Sequence, residues 1–304
     1  PTGNSWRAKK RCSTFKNLPE LMSIYRRVAD IQTAETLKLP VPKLKNGKYT
    51  ICLTKPSEEQ KLFIFDCGER AEEVHQKRVD PSKDNMLKIT NDGKMCALDM
   101  RLVDPTVEDN PDSKVNMAVN NIFNKWEETK DDSLTQVVFL DRSTPSKGFN
   151  LYDDIKSKLI ALGVPEEEIK FIHDAKNDKE KVKLFEDVNE GRVRILIGST
   201  EKMGAGTNIQ KKLCALHHID VPWRPSDIEQ REGRILRQGN DCKEVEIFRY
   251  ATEGTFDSYS WQTIEYKQKF ISQVMTNKPL GRSIDDVDEA ALNYAEIKSL
   301  ATGD

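Results

Sequence analysis

No apolar run in this chain of 304 residues approaches the roughly 18 residues of a membrane-spanning helix. The amino terminus has no signal-peptide pattern, so a cytoplasmic protein with no membrane partner is expected. The six cysteines, at positions 12, 52, 67, 96, 214 and 242, form no CxxC pair and no zinc spacing, and read as reduced, mostly buried thiols. His173, His217 and His218 make no metal-ligand pattern, and no metal site is expected in the chain. Charge of one sign is also missing. Lys plus Arg number 48 against 50 Asp plus Glu, so bulk electrostatics does not announce a polyanion, and any such contact must be local. Finally, there is no GxxxxGK loop followed by Ser or Thr to cradle phosphates, and the acidic pair Asp288-Glu289 follows no buried strand and reads as surface. The chain by itself is expected neither to bind ATP tightly nor to hydrolyse it.

What is present is concentrated between residues 195 and 239. Val193 to Ile197 is a short apolar run that reads as a strand buried on both faces, and the turn MGAGTN follows it directly. Gly204 and Gly206 permit positive φ and close backbone approach, while Thr207 and Asn208 can cap a turn or bond a phosphate. A second buried strand, Ala215 to Ile219, leads through Asp220, Pro222, Trp223 and Pro225 to Ser226-Asp227, read as the N-cap pair of a helix with Gln230, Arg231, Arg234 and Arg237. At helical spacing Gln230, Arg234 and Arg237 share a stripe with Arg231 at its edge, a pattern suited to bidentate phosphate contact. On the alternative reading of a solvated basic face, Glu229 and Glu232 beside it make ordinary helix ion pairs. Taken singly, a GxG turn is equally a plain strand-to-helix turn, and RxxRxxR equally a solvated basic face. Their conjunction within about one βα unit is what carries information.

Strand candidates at Val137 to Leu140, Ile169 to Ile172, Val193 to Ile197, Ala215 to Ile219 and Val245 to Tyr250 alternate with helical patterns, which predicts an α/β fold with a parallel sheet. Asp153 and Asp154 are expected to open one helix, with Ile155, Leu159 and Leu162 on its apolar side and Gly163 as its stop. Val182, Phe185 and Val188 mark the next. Function is then expected at the carboxyl ends of the strands, where Asp141 to Thr144, His173-Asp174, Ser199-Thr200 and Asp220 fall. The first hundred or so residues show no βα alternation. Phe15, Leu18, Leu21, Ile24, Tyr25 and Val28 have helical spacing, PVPKLKNGKY is a connector, and Lys61 to Arg78 and Asp84 to Leu87 read as helices broken at Pro81. Ile284 to Leu300 reads as an amphipathic helix with Val287, Ala291, Tyr294 and Ile297 on one stripe, a brace or a partner contact.

The strand end with GAGTN, DVPWRPS and QREGRILRQGN resembles motifs V and VI of superfamily-two helicases, and within them the Snf-type double-stranded DNA translocases. DSK at Asp112 to Lys114, the helix to Trp126 and TQVVFLD at Thr135 to Asp141 resemble the opening of the second motor lobe, and VEIFRYATEGTFDSYSWQTIEYKQKFISQVM its closing strand and long helix. More narrowly, the chain is similar to the carboxy-terminal part of helicase-methylase proteins of bacterial mobile elements and phages, which would make it a fragment of a larger protein. The resemblance implies a RecA-like parallel sheet flanked by helices. It implies three parts: residues 1–111, the helical end of the first lobe with protrusion and linker; 112–255, the helicase carboxy-terminal lobe; and 256–304, closing and brace helices. It further implies ATP and Mg²⁺ held mainly by an absent upstream lobe, with Arg234 and Arg237 as arginine fingers and Gln230 assisting. Gly204, Gly206, Asn208 and Arg231 would serve the nucleotide side, and Arg142, Thr144, Thr200, Lys202 and Thr207 would grip duplex DNA by its backbone. The partners implied are DNA, the first motor lobe and an adenine-specific methyltransferase domain in the same polypeptide, although no NPPF-type tetrapeptide of that chemistry occurs here. Two other readings stay open: a non-catalytic DNA-binding or partner-docking scaffold, and a nucleotide-binding or phosphotransfer enzyme complete in itself.

Overall fold

A strand buried at every position is covered on both faces, and the middle of this protein is built from such strands, Thr135–Phe139, Ile195–Gly198 and Leu213–His218. The computed structural model describes residues 14–16, 18–25, 27–29, 39–203, 208–276, 283–285 and 294–302. In chain order the elements are β1 (Thr14–Lys16), α1 (Leu18–Tyr25), β2 (Lys43–Leu44), β3 (Thr50–Thr54), α2 (Glu58–His75), α3 (Met86–Leu98), α4 (Lys114–Glu128), β4 (Thr135–Phe139), α5 (Leu151–Ala161), β5 (Ile169–Phe171), α6 (Asp178–Glu190), β6 (Ile195–Gly198), β7 (Leu213–His218), α7 (Pro225–Glu232), β8 (Glu244–Thr252), α8 (Phe256–Thr276), β9 (Ser283–Asp285) and α9 (Tyr294–Thr302). Seven strands form one sheet in the order β2, β8, β7, β4, β6, β5, with β3 also paired to β8, and every pairing in it is parallel. β1 and β9 make a separate antiparallel pair.

The alternation along each central strand sorts the core into two layers. Val138, Leu140, Ile195, Ile197 and Ala215 pack under Val119, Ile122 and Trp126 of α4 and Tyr152, Ile155 and Leu159 of α5. Val137, Phe139, Leu196 and Leu216 face the other way, onto Val188 of α6 with Met203, Ile209 and Ile235. Helix starts follow side-chain capping: Ser57 makes a capping box with Gln60, and Asn85, Ser113, Asn150 and Asn177 each accept an N–H from the first turn of their helix. No helix among the described residues is long and apolar enough to cross a membrane.

The expected α/β fold with its five strands is present, and several local expectations are corrected. Asn150, not Asp153 or Asp154, caps α5, because its carbonyl oxygen lies 3.0 Å from the Asp153 N–H; the two aspartates occupy the first turn. Val182 of α6 is exposed, and the buried side of that helix is centred on Val188. The segment from Ile284 to Leu300 is not one helix: Ile284 lies in β9 and helix begins at Tyr294. Val287 and Ala291 of that expected stripe, and the pair Asp288-Glu289, lie outside the described residues. Ile297 is fully buried with Cys67, Ala71 and Val74 of α2, so α9 does brace α2.

β3 is an element the sequence reading does not place. It alternates exposed Ile51 and Leu53 with buried Cys52 and Thr54, the pattern of an edge strand. It runs beside the carboxyl half of β8, from Thr50 opposite Phe248 to Thr54 opposite Thr252. Residues from before position 112 therefore complete the sheet.

Gly93 of α3 marks a close approach between the amino-terminal helices and α8. A Cβ there would stand 2.4 Å from the ring of Phe256, which is fully buried. Gly93→Ala is expected to cost about 1–3 kcal/mol through overpacking, read as a lower urea midpoint with unchanged slope. A variant as stable as the parent chain would show that α3 can move off Phe256 freely.

Candidate functional site

Parallel strands deliver their carboxyl ends to one edge of a sheet, and here β4, β5, β6 and β7 bring Asp141, His173, Ser199-Thr200 and Asp220 together. The group that organises them is Arg231, a guanidinium with no solvent exposure. A buried cation needs acceptors around its whole perimeter. Nε donates to Thr200 Oγ1 at 2.7 Å. One terminal nitrogen donates to the Asp220 carbonyl at 3.1 Å and to His218 Nδ1 at 3.2 Å. The other donates to Asp141 Oδ2 at 2.7 Å and Asp220 Oδ1 at 3.2 Å. The ring of Phe139 lies beneath the guanidinium, 5.0 Å away.

Each acceptor is itself fixed. Asp141 accepts the N–H of Thr200 at 2.6 Å and its hydroxyl at 2.9 Å. Asp220 accepts the N–H groups of Asp141 and Arg142 at 2.6 and 2.9 Å. Burial pushes the Asp220 carboxyl up from its ordinary range, and Arg231 works against that push. Because His218 Nδ1 accepts from Arg231, its proton sits on Nε2 and is donated to Glu232 Oε1 at 3.3 Å. Burial, with the Arg231 charge beside it, pushes the His218 pKa down to about 4. Glu232 also accepts from Arg249 at 2.9 Å and from the Tyr49 hydroxyl at 3.0 Å. Although burial alone would raise it, the bonds from His218 and Arg249 hold the Glu232 carboxyl below its ordinary range. One connected network thus runs from β4 to β8.

Above it lies a cleft of about 710 Å³ lined by Asp141, Thr144, His173, Thr200, Lys202, Asp227 and Gln230 among others. Five of the residues expected to contact nucleotide or DNA meet there or at its edge. Thr144, Thr200 and Gln230 line it, Lys202 is exposed on its wall, and Arg142 is half-buried nearby with a terminal nitrogen 2.6 Å from Asn91 Oδ1. His173 stands edge-on to Tyr152, its pKa lowered by burial and by Lys202. Asn208 is exposed and its carbonyl accepts from Asn189 at 2.7 Å. Gly204, Gly206 and Thr207 lie outside the described residues.

The arginine ladder is corrected in three respects. α7 begins at Pro225 with Arg224 as N-cap, so Ser226 and Asp227 are first-turn residues rather than caps. It ends at Glu232, and beyond Gly233 the backbone tightens, Arg234 N–H reaching Arg231 at 3.3 Å and Ile235 N–H reaching Glu232 at 3.1 Å. The stripe expected for Gln230, Arg234 and Arg237 therefore does not form. Burial of Ile235 in the lower core turns the chain inward, leaving Gln230 on the cleft, Arg234 only 6% exposed and Arg237 exposed. Burial and then the neighbouring Arg237 charge push Arg234 down to about 10, still a cation at neutral pH. Arg231 offers no surface to a nucleotide, since it is the buried hub. Glu232 is no surface ion pair but the second hub. The one sequence signal for it was a charged residue, Arg249, inside the otherwise apolar stretch Ile247 to Ala251 of β8, which demands a buried partner.

Residues 130–239 match the family described as "Helicase conserved C-terminal domain". Over 93 residues, 31% of this chain, the sequence is 34% identical to "Defense against restriction protein B" of Escherichia phage P1. Over 92 residues, 30% of the chain, it is 33% identical to "Uncharacterized ATP-dependent helicase YqhH" of Bacillus subtilis. These stretches span only 4% and 16% of the two relatives. In fold, the chain is similar to the crystal structure of the C-terminal part of the Fun30 ATPase domain, with a TM-score of 0.52 and 14% identity over 86% of this chain and 96% of that one. The architecture, a parallel sheet flanked by helices, is RecA-like, as in the C-terminal part of the Fun30 ATPase domain.

Two outcomes follow from the network. Arg231→Gln strands the buried carboxylates of Asp220 and Asp141, and a loss of about 3–5 kcal/mol is expected by urea unfolding. The two adjacent histidines set an acid dependence. Burial pushes His217 to about 3 and His218 to about 4, whereas the unfolded chain takes up protons below about pH 6.5. Stability is therefore full above about pH 6.5 and declines as pH falls toward about 4, by up to about 1.4 kcal/mol per pH unit for each histidine. Urea midpoints across that window are expected to fall less steeply for His218→Gln, and an equal slope would remove His218 from the account.

Proposed function

We propose that this chain is the second motor lobe of an ATP-dependent DNA helicase or translocase of Snf type, a piece of a larger bacterial cytoplasmic protein. The observation that carries the reading is the coincidence of the family match at 130–239 with a strand-end cleft whose wall residues Thr200 and Asp141 are bonded to Arg231, on the helix that leads into Arg234 and Arg237. The helicase named among the relatives, and the missing phosphate loop, support the same division of labour.

The residues present fit the anionic part of ATP and not its metal. Arg234 and Arg237 are close enough for one charge to depress the other, an arrangement that an incoming phosphate relieves. Asp141 and Asp220 are committed to Arg231, so Mg²⁺ belongs to the upstream lobe. Bound ATP supplies the phosphoanhydride whose hydrolysis drives the motor. Arg237, the exposed member, reaches across the interlobe cleft to the γ-phosphate as the finger. Arg234 sustains the positive potential behind it, and Gln230 assists from the cleft. Fingers of this kind contribute about 10³ to 10⁵ in rate.

On the DNA side, Arg142, Thr144, Thr200 and Lys202 hold backbone phosphates rather than base edges, which gives little sequence preference and a steep loss of affinity with salt. Gly204, Gly206, Thr207 and Asn208 connect that grip to lobe closure. Thr200 is the shared residue, lining the cleft while bonded to Arg231. An adenine-specific methyltransferase domain in the parent polypeptide is the narrower part of the same proposal.

The decisive experiment is ATP turnover, with and without duplex DNA, for this chain and for a version extended upstream by a complete lobe. Turnover only in the extended version, stimulated by DNA, is expected. If neither version turns over, the lobe is a DNA-binding or docking scaffold; if the short chain is active alone, the phosphate site is not in another lobe. In the extended version Arg237→Ala is expected to abolish hydrolysis with DNA affinity nearly intact, and an unchanged turnover number would remove Arg237 from the finger role.

A further inference from the structure

The three histidines near the strand ends are treated differently by the fold. His217 uses both ring nitrogens, Nδ1 at 3.0 Å from the Tyr250 hydroxyl and Nε2 at 3.0 Å from Gln136 Oε1. His218 is engaged on both sides too, by Arg231 and Glu232. His173 makes no hydrogen bond among the described residues, and its Nδ1 is buried without a partner. Its placement is nevertheless fixed. The ring stands edge-on to Tyr152, with centroids 5.3 Å apart, and the Tyr152 hydroxyl donates to the Leu140 carbonyl at 2.5 Å. The carboxylate of Asp174, next in the chain, accepts the Phe171 N–H at 2.9 Å, which closes the turn that carries His173 and commits that acceptor to the backbone.

A neutral imidazole has one donor and one acceptor nitrogen. With the hydrogen on Nδ1 the ring would hold a buried N–H with no acceptor, the rarer and costlier defect, so the hydrogen belongs on Nε2. That nitrogen is not among the sealed, unpartnered atoms, and His173 lines the strand-end cleft, so Nε2 opens to it. Lys202 lines the same wall. Burial, and then the Lys202 charge, lower the His173 pKa against the weaker pull of Asp174, and the ring is neutral at about pH 7.5. We propose that His173 donates its Nε2 hydrogen to a non-bridging oxygen of a backbone phosphate in the cleft, beside Lys202, which meets that phosphate's charge. The inference rests on the DNA reading of the cleft above. Lys202 attracts at a distance and is screened by salt, whereas His173 supplies a directional bond and adds no charge. Protonation would put a hydrogen on Nδ1, where nothing accepts it, so the ring stays a neutral donor as the phosphate docks. Every nucleotide presents such an oxygen, and the contact adds affinity without sequence preference.

The test is anisotropy titration of the chain with a fluorescein-labelled duplex of about 30 base pairs at about pH 7.5, over a series of salt concentrations. His173→Phe keeps a ring against Tyr152 and loses the donor. Its Kd is expected to weaken about tenfold, with the slope of log Kd against log salt unchanged. His173→Gln offers an amide N–H near the place of Nε2 and is expected to bind within about threefold of the parent chain. Lys202→Gln removes a charge and is expected to lower the slope by about one. A Kd for His173→Phe equal to the parent's, or a His173→Gln as weak as His173→Phe, would overturn the donor. A slope lowered by about one in His173→Phe would make His173 a cation in the complex and overturn the neutral bond. If Lys202→Gln weakens binding while neither His173 variant does, the cleft binds DNA and His173 is only part of its wall; if even the parent chain fails to bind duplex, the DNA reading falls as well. Labelled ATP in place of duplex, bound in a His173-dependent way, would assign the phosphate to a nucleotide and overturn the backbone source.

Discussion

The arrangement of the site depends on one guanidinium. Arg231 is surrounded by Asp141, Thr200, His218 and Asp220, groups that leave the ends of β4, β6 and β7, and it is the only cation bonded to those two aspartates among the described residues. A buried ion pair adds little net stability over a well-packed apolar contact, because desolvation offsets the attraction. Its value is directional. An apolar side chain at 231 could fill the volume, but it could not specify which way Thr200 and Asp141 point.

That direction is felt on both sides of the motif. Toward the sheet, Thr200 has its hydroxyl hydrogen used by Asp141 and its lone pair by Arg231, so its position in the cleft wall is fixed by α7. Away from the sheet, Glu232 is held inward by His218, Arg249 and Tyr49, and the chain beyond it tightens at Gly233. The two arginines after that turn therefore take opposite fates, one inside and one out, though they are only three residues apart. A displacement of α7 would move the cleft wall and Arg237 together.

The central sheet was legible because its strands contain short apolar runs bounded by glycine or polar residues; Val137 to Phe139 and Ile195 to Ile197 admit little else. The clustering of Asp141, Thr200 and Asp220 was legible too, since parallel topology alone puts strand ends on one edge. The inside of the arginine motif was not. Helical periodicity treats 230 to 237 as one cylinder, and nothing local in the sequence says that Glu232 is claimed by residues 14 and 17 positions away in sequence, His218 and Arg249. β3 escaped notice for a related reason. Its alternation, Ile51 and Leu53 out with Cys52 and Thr54 in, spans five residues and places apolar side chains on the exposed side.

β3 also fixes what can be treated as a separable unit. Its backbone pairs with the last five residues of β8, and the Thr54 hydroxyl meets Thr252 at 3.4 Å where β8 passes into α8. A lobe excised at position 112 would carry β8 as a raw border, with open amide and carbonyl groups facing water and ready to recruit a strand from another molecule. The heritable module is accordingly longer than its recognisable motifs. Any rearrangement that transplants this sheet into another protein has to carry the short strand at 50–54 with the rest, or provide a substitute for it.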